Sequence, residues 1–189
     1  ALQQVAFALC AMVDTSGSTA IRVYKDKENT PKKLPLERVY TGGTVDTAAV
    51  VTAVRVTAHS YSTAGSGNDT VEVGGVTYYH TATVTTIANP NATASDKQNV
   101  VDVSNATLVH PGNVSAVVQY LYNYYVMRDT QNVRIVMDRE KPGDRTAAAT
   151  PWGTLVNGYI TSMRITLSGI ATADCEIVGV DVRSVGEAE

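Results

Sequence analysis

Asp174 and Glu176 flank Cys175 in the stretch "ADCEIV". Side chains alternate along a strand, so the two carboxylates share one face and the thiol takes the other. Two acids set about a bond are what glycoside hydrolysis needs. The same pair also describes a solvated sheet face, and no aromatic sugar platform accompanies it in the sequence, so the solvated face is the expected reading. Asp138, Glu140 and Asp144 gather about the turn "DREKPGD" and offer oxygen ligands to a hard cation. Their spacing is not that of an EF-hand loop, and Arg139, Lys141 and Arg145 stand beside them to neutralise the acids. A charged turn between strands is expected there. The three histidines lie apart in sequence, none with a second His or a Cys at metal-ligand spacing. His59 and His80 are expected on strands as ordinary cross-strand neighbours, and His110 in a loop before a helix. "TGGTVDT" has glycines but neither phosphate-cradling pattern. The expectation is no catalytic residue, no bound cofactor and no metal ligand.

Tyrosine is the unusual feature. Tyr120, Tyr122, Tyr124 and Tyr125 crowd one helical segment, with Tyr78 and Tyr79 elsewhere. Positions 120, 122 and 124 spread around a helix, so the rings cannot all enter one core. Either some meet a partner, where Tyr is favoured for its large ring and wet hydroxyl, or the helix is sandwiched within one domain. The four helical tyrosines are the candidate interface.

These residues must be held by elements that the pattern supplies. Leu2, Val5, Ala6, Leu9, Met12 and Val13 recur at helical spacing, and "DTSGS" then breaks the helix. "AIRVY" predicts a short strand, and "KDKENTPKKLP" a solvated loop whose charges are surface. From Thr47, "TAAVVTAVRVTAHSYS" alternates Val54, Val56 and Ala58 against Arg55, Thr57, His59 and Tyr61, as a half-exposed strand does. Past the tip "TAGSGND", Gly74-Gly75 divides two alternating runs and predicts a two-residue hairpin with positive φ. Gln98 to Val103 reads as a strand. A helix is predicted over Val114 to Arg128, with Asn113 as N-cap after the Pro111-Gly112 breaker. Strands are then expected near Val133 to Asp138, Leu155 to Leu167 and Cys175 to Val182.

The fold class expected is α+β: mainly antiparallel β with two helices and a small barrel-like β region at the C-terminal end. The expected division is 1–110, an α+β region with a long hairpin, and 111–189, a helix followed by the barrel-like region. In 189 residues, a hydrophobic fraction of 44% is enough for a packed core. A net charge of -3 supplies no basic footprint for nucleic acid or an anionic membrane. No apolar run reaches the roughly 20 residues of a membrane span. Cys10 and Cys175 are expected as two buried thiols in a reducing compartment. A chain opening on Ala1 inside a helical pattern suggests an excised domain or a processed chain.

The ordered set of a helix "NVSAVVQYLYNYYVMRDT", a strand "NVRIVMD", a turn "EKPGDRTAAATPWG" and a long strand "GYITSMRITLSGIATADCEIVG" resembles the layout of phage tail hub and tail-tip proteins. The opening "LQQVAFALCAMVDTSGSTAIRVY" is similar to the helix and strand that begin the middle region of such proteins. The resemblance implies a piece of a prophage-encoded tail protein, from the hub, baseplate or tail tip, that works by protein–protein assembly rather than catalysis. It implies other phage tail proteins and copies of the chain itself, in a trimer for a hub, as partners. The implied location is the virion tail, assembled in the bacterial cytoplasm. In that setting Pro142-Gly143 turns a corner, and Trp152 plugs the end of the small barrel. A stable self-contact would bury well over about 1,000 Å². The alternative is a module that binds a glycan or peptide through Tyr and acidic side chains on loops such as Thr63 to Asp69 and Lys25 to Lys33.

Overall fold

The computed structural model describes residues 2–14, 21–25, 32–40, 43–150 and 153–181. Trp152, the loop core 26–31 and the run after 181 lie outside them, and with them the expected barrel plug. The fold is α+β, with two helices and mainly antiparallel sheets. It forms two compact units: Ala1–Lys27 with Val51–Tyr125, and Glu28–Val50 with Val126–Glu189.

In the first unit, helix α1 covers Leu2–Ala8. The helical stripe was expected to run on through Met12 and Val13, but Cys10 takes a left-handed φ of 52° and ends it. Strand β1 (Ala11–Asp14) follows and pairs antiparallel with β2 (Arg22–Lys25). The main sheet combines β5 (Ala53–Ser62), β6 (Thr70–Val73), β7 (Val76–Ala88) and β8 (Val100–Val103) in the order β6-β7-β5-β8. Gly74 and Gly75, at φ 60° and 77°, make the expected two-residue turn, with Val73 opposite Val76. Helix α2 (Val114–Tyr125) lays Val114, Val117, Val118 and Leu121 on Val54, Val56 and Ala58 of β5, the faces that the sequence periodicity marks. It stops three residues earlier than the pattern suggests. Asn113 does precede it, but its Oδ1 accepts from the His110 N–H at 2.8 Å, and its amide donates to the Ala8 and Leu108 carbonyls. The side chain therefore ties three segments together instead of capping the helix.

The second unit is a six-stranded sheet in the order β3-β10-β11-β12-β9-β4, curled into a half-barrel. Its strands are β3 (Lys32–Leu34), β4 (Thr44–Thr47), β9 (Asp129–Val136), β10 (Arg145–Ala149), β11 (Leu155–Ser168) and β12 (Ile170–Asp181). The short strands β3 and β10 fall where the sequence suggests only loop or turn, and β4 where it suggests no element. Each is too short or too polar to show a period, and pairing with longer strands creates it. Leu34, Val133, Ile135, Ala148, Val156, Ile160, Cys175 and Ile177 fill the concave side. Gln131 of β9 donates from Nε2 to the Ala149 carbonyl of β10 at 2.7 Å, although β11 and β12 separate these strands in the sheet, so the curl brings them together.

Three devices bend the sheet. Gly158 and Gly179 face each other on β11 and β12, where a Cβ on Gly158 would fall 2.0 Å from the Val178 oxygen. A bulge between Ile160 and Ser162 shifts the alternation along β11, so Tyr159 and Met163 fall on different faces. Gly169, at φ 77°, folds what reads as one long strand back into the β11–β12 hairpin. The Pro142-Gly143 corner lies on the β9–β10 connection, with Gly143 at φ 89° donating to the Ile160 carbonyl.

Candidate functional site

The tyrosines of α2 divide as helical geometry requires. Tyr122 and Tyr125 are half-buried against the valine core. Tyr120 is half-buried and engaged with neighbouring groups. Tyr124 is 47% exposed, with its ring edge-on to Tyr125 at a centroid distance of 5.2 Å. Of the four, Tyr124 offers most of its surface to a partner.

The acidic candidates are all engaged. Arg134 grips Asp174 in a two-pronged fork, Nε to Oδ1 at 2.6 Å and the terminal nitrogen to Oδ2 at 2.9 Å. That guanidinium holds the Asp174 carboxyl below the usual carboxylate range. Glu176 accepts from the Thr161 hydroxyl at 2.7 Å. Both acids line an open groove of about 680 Å³, together with Tyr40, Asn132, Ser162 and Arg164. Burial pushes the Cys175 thiol, on the opposite face, up to about 11.

Glu140 does not pair with Arg139, Lys141 or Arg145, the neighbours expected to neutralise it. Its side chain is 2% exposed and lies between Lys32 at 2.9 Å and Arg38 at 2.7 Å, while its other oxygen accepts from the Asp138 N–H. Burial on its own would raise its pKa. The backbone bond from Asp138 and the two cationic donors outweigh burial and hold it at about 2. Lys32, expected as a solvated loop charge, is therefore part of a clamp that fastens edge strand β3. Among the described residues no group of three or more His, Cys, Asp or Glu side chains is arranged to hold a metal ion, and no helix is long and apolar enough to cross a membrane.

His59 and His80 stand on strands as cross-strand neighbours, as expected, and each is the other's neighbour. His59 of β5 and His80 of β7 meet each other, His59 Nδ1 to His80 Nε2 at 2.9 Å. Asp69, at the end of the tip before β6, lies 2.6 Å from His80 Nδ1, and the Ser104 carbonyl 2.9 Å from His59 Nε2. The register of β5 with β7 carries the signal. Pairing Tyr61 with His80 and His59 with Ala82 makes the histidines diagonal neighbours on one face. His110 stays in its loop, its Nδ1 accepting the Gly112 N–H at 3.1 Å.

Two surfaces are conspicuously apolar. The end of the β11–β12 hairpin is exposed on both faces and carries Ile165 (53% exposed), Leu167 (83%) and Ile170 (65%). The sheet face opposite α2 presents Val71, Val73, Val76 and Val84.

No protein-family model matches the chain, and no curated protein matches it by sequence. Solved structures do match. A chain from the virion of a native gene transfer agent particle superposes with a TM-score of 0.58 at 18% identity, over 95% of this chain and 38% of its own. The prophage MuSo2 43 kDa tail protein from Shewanella oneidensis gives 0.56 at 9% identity, over 94% and 52%. The tail protein from Neisseria meningitidis MC58 gives 0.54 at 10%, over 92% and 52%. This chain thus spans about four-tenths to one half of the length of these proteins. At such identities the likeness is one of fold, and over at least 92% of its length this chain has the fold of phage tail and virion proteins.

Proposed function

We propose that this chain is a non-enzymatic structural part of a phage-type tail, in the hub, baseplate or tail-tip region. It acts by assembly with other tail proteins and with copies of itself in the virion. The observation that carries this reading is the match of fold along nearly the whole chain to proteins named for tails and virions. Two features support it. The carboxylates best placed for hydrolysis are tied up in side-chain bonds, and large aliphatic side chains stand exposed on a hairpin end, as surfaces awaiting a partner do.

Light scattering over a range of concentrations tests the self-assembly part. The expected result is an oligomer that grows with concentration and is weakened by Leu167→Ser at the hairpin end, by Tyr124→Ser on α2, or by both. Leu167 is 83% exposed and Tyr124 47%, and neither is part of a buried core, so the fold should survive each change. A chain that stays monomeric in every form and at every concentration would remove self-assembly from the reading.

A further inference from the structure

One chain of side-chain hydrogen bonds crosses the whole four-stranded sheet in the order of its strands. Asp69 stands just before β6, His80 is on β7, His59 is on β5, and Ser104 follows β8. The two ends fix where the hydrogens are. Ser104 contributes a carbonyl oxygen, which only accepts, so His59 Nε2 carries a hydrogen. Asp69 contributes a carboxylate, so the hydrogen of that bond sits between it and His80 Nδ1. With Asp69 ionised, each neutral imidazole has then used its one N–H, and two lone pairs would oppose each other across 2.9 Å.

A hydrogen bond at that distance needs one more proton. With it the pair is an imidazole and an imidazolium sharing a single positive charge, balanced by Asp69. Moving the outer hydrogen onto Asp69 leaves the total unchanged. Ring geometry agrees: the planes differ by 18° and the centroids lie 5.2 Å apart. That separation is what two imidazoles have when joined end to end, nitrogen to nitrogen, and is too long for stacking face on face at van der Waals contact.

We propose that His59 and His80 form a proton-operated clamp. In the singly protonated state it ties the tip 63–69 and edge strand β6 on one side of the sheet to the exit of β8 on the other. Loss of that proton releases them. The groups facing the pair from the elements around it are Asp69 from the tip, Tyr61 of β5 with its ring 4.9 Å from that of His80, and Tyr78 of β7. Farther along the same face, Arg55 is paired with Asp102 of β8 at 3.3 Å. Asp69 is the one anion bonded to the pair among the described residues.

The clamp holds one proton more than two neutral imidazoles do, so its contribution is lost as the pH rises far enough to remove that proton. At the acid extreme a second proton on the pair sets two N–H groups against each other, and the clamp opens from that side. The clamp does not depend on whether the chain assembles into a tail.

Long-range nitrogen–proton spectra of the imidazoles, recorded on the whole chain from pH about 5 to about 9, count the ring protons. His59 and His80 should share three ring protons in the clamped state, one of them far downfield. Amide exchange of β6 and of 63–69, corrected for intrinsic chemistry, should quicken about tenfold when the shared proton leaves. Asp69→Asn keeps the size and removes the charge at a side chain that is 74% exposed, so it should fold and move the alkaline loss to lower pH. Two ring protons on the pair throughout while Asp69 is ionised, or an exchange profile that Asp69→Asn leaves unmoved, would overturn the clamp.

Discussion

Glu140 accepts from Lys32 and Arg38, residues 108 and 102 positions away in the chain. Its carboxyl titrates at about 2 when folded against an ordinary value of 4.5. Because the folded value is the lower one, Glu140 stabilises the fold fully above about 4.5, and that stability is lost as the pH falls through about 2. The contribution is on the order of 3 kcal/mol. Glu140→Gln should therefore cost about 2–3 kcal/mol near neutral pH and flatten the acid limb of the stability profile, as read by urea unfolding at several pH values. Cys175 gives a second test at this scale. Burial holds its thiol at about 11, so it should resist alkylation in the native protein and react only as denaturant opens the second unit. The acids of these contacts were visible in the sequence. Their partners were not, because β3 and the 3-10 turn Leu36–Arg38 reach Glu140 only through the sheet order.

Glycines separate turn from kink at the scale of elements. Gly74 needs its φ of 60°, but a Cβ there would meet open space, so Gly74→Ala should cost about 1–2 kcal/mol for the left-handed backbone alone. Gly158 lies against backbone atoms of β12 that cannot move aside without breaking strand pairing. Gly158→Ala should cost about 3 kcal/mol or more, since it opposes the curl of the six-stranded sheet. Thermal melts of the two variants decide the order, and equal losses would speak against a close-packed kink. The Gly74-Gly75 turn was legible because a two-residue turn is a local choice. The Gly158–Gly179 contact was not, because its two glycines lie 21 positions apart and meet only in the register of β11 with β12.

At the scale of the whole molecule, the described residues form two separate cores, one of α2 on β5 and one inside the half-barrel. Leu121→Ala should remove about 2–4 kcal/mol and Ile177→Ala about 3–4 kcal/mol. Amide exchange should show each loss chiefly in its own unit, Leu121→Ala in Val51–Tyr125 and Ile177→Ala in Val126–Glu189. Protection lost evenly over both units after either change would mean that the cores unfold as one. The apolar end of the β11–β12 hairpin belongs to this scale too, because its exposure follows from where the bulge and Gly169 send the strands.

By itself the sequence determined the classes of local structure. Helical spacing marks α2 and its buried face, strict alternation marks β5, paired glycines mark a tight turn, and the ordered set of segments carries the resemblance to tail proteins. Each is a relation among residues within a few positions, which backbone geometry fixes locally. Only the tertiary structure decided which distant residues meet: Lys32 and Arg38 on Glu140, Arg134 on Asp174, Gly158 on Gly179, and His59 with His80 between Asp69 and Ser104. Those contacts depend on strand order and register across the sheets, and a one-residue slip in either would place every one of these side chains elsewhere.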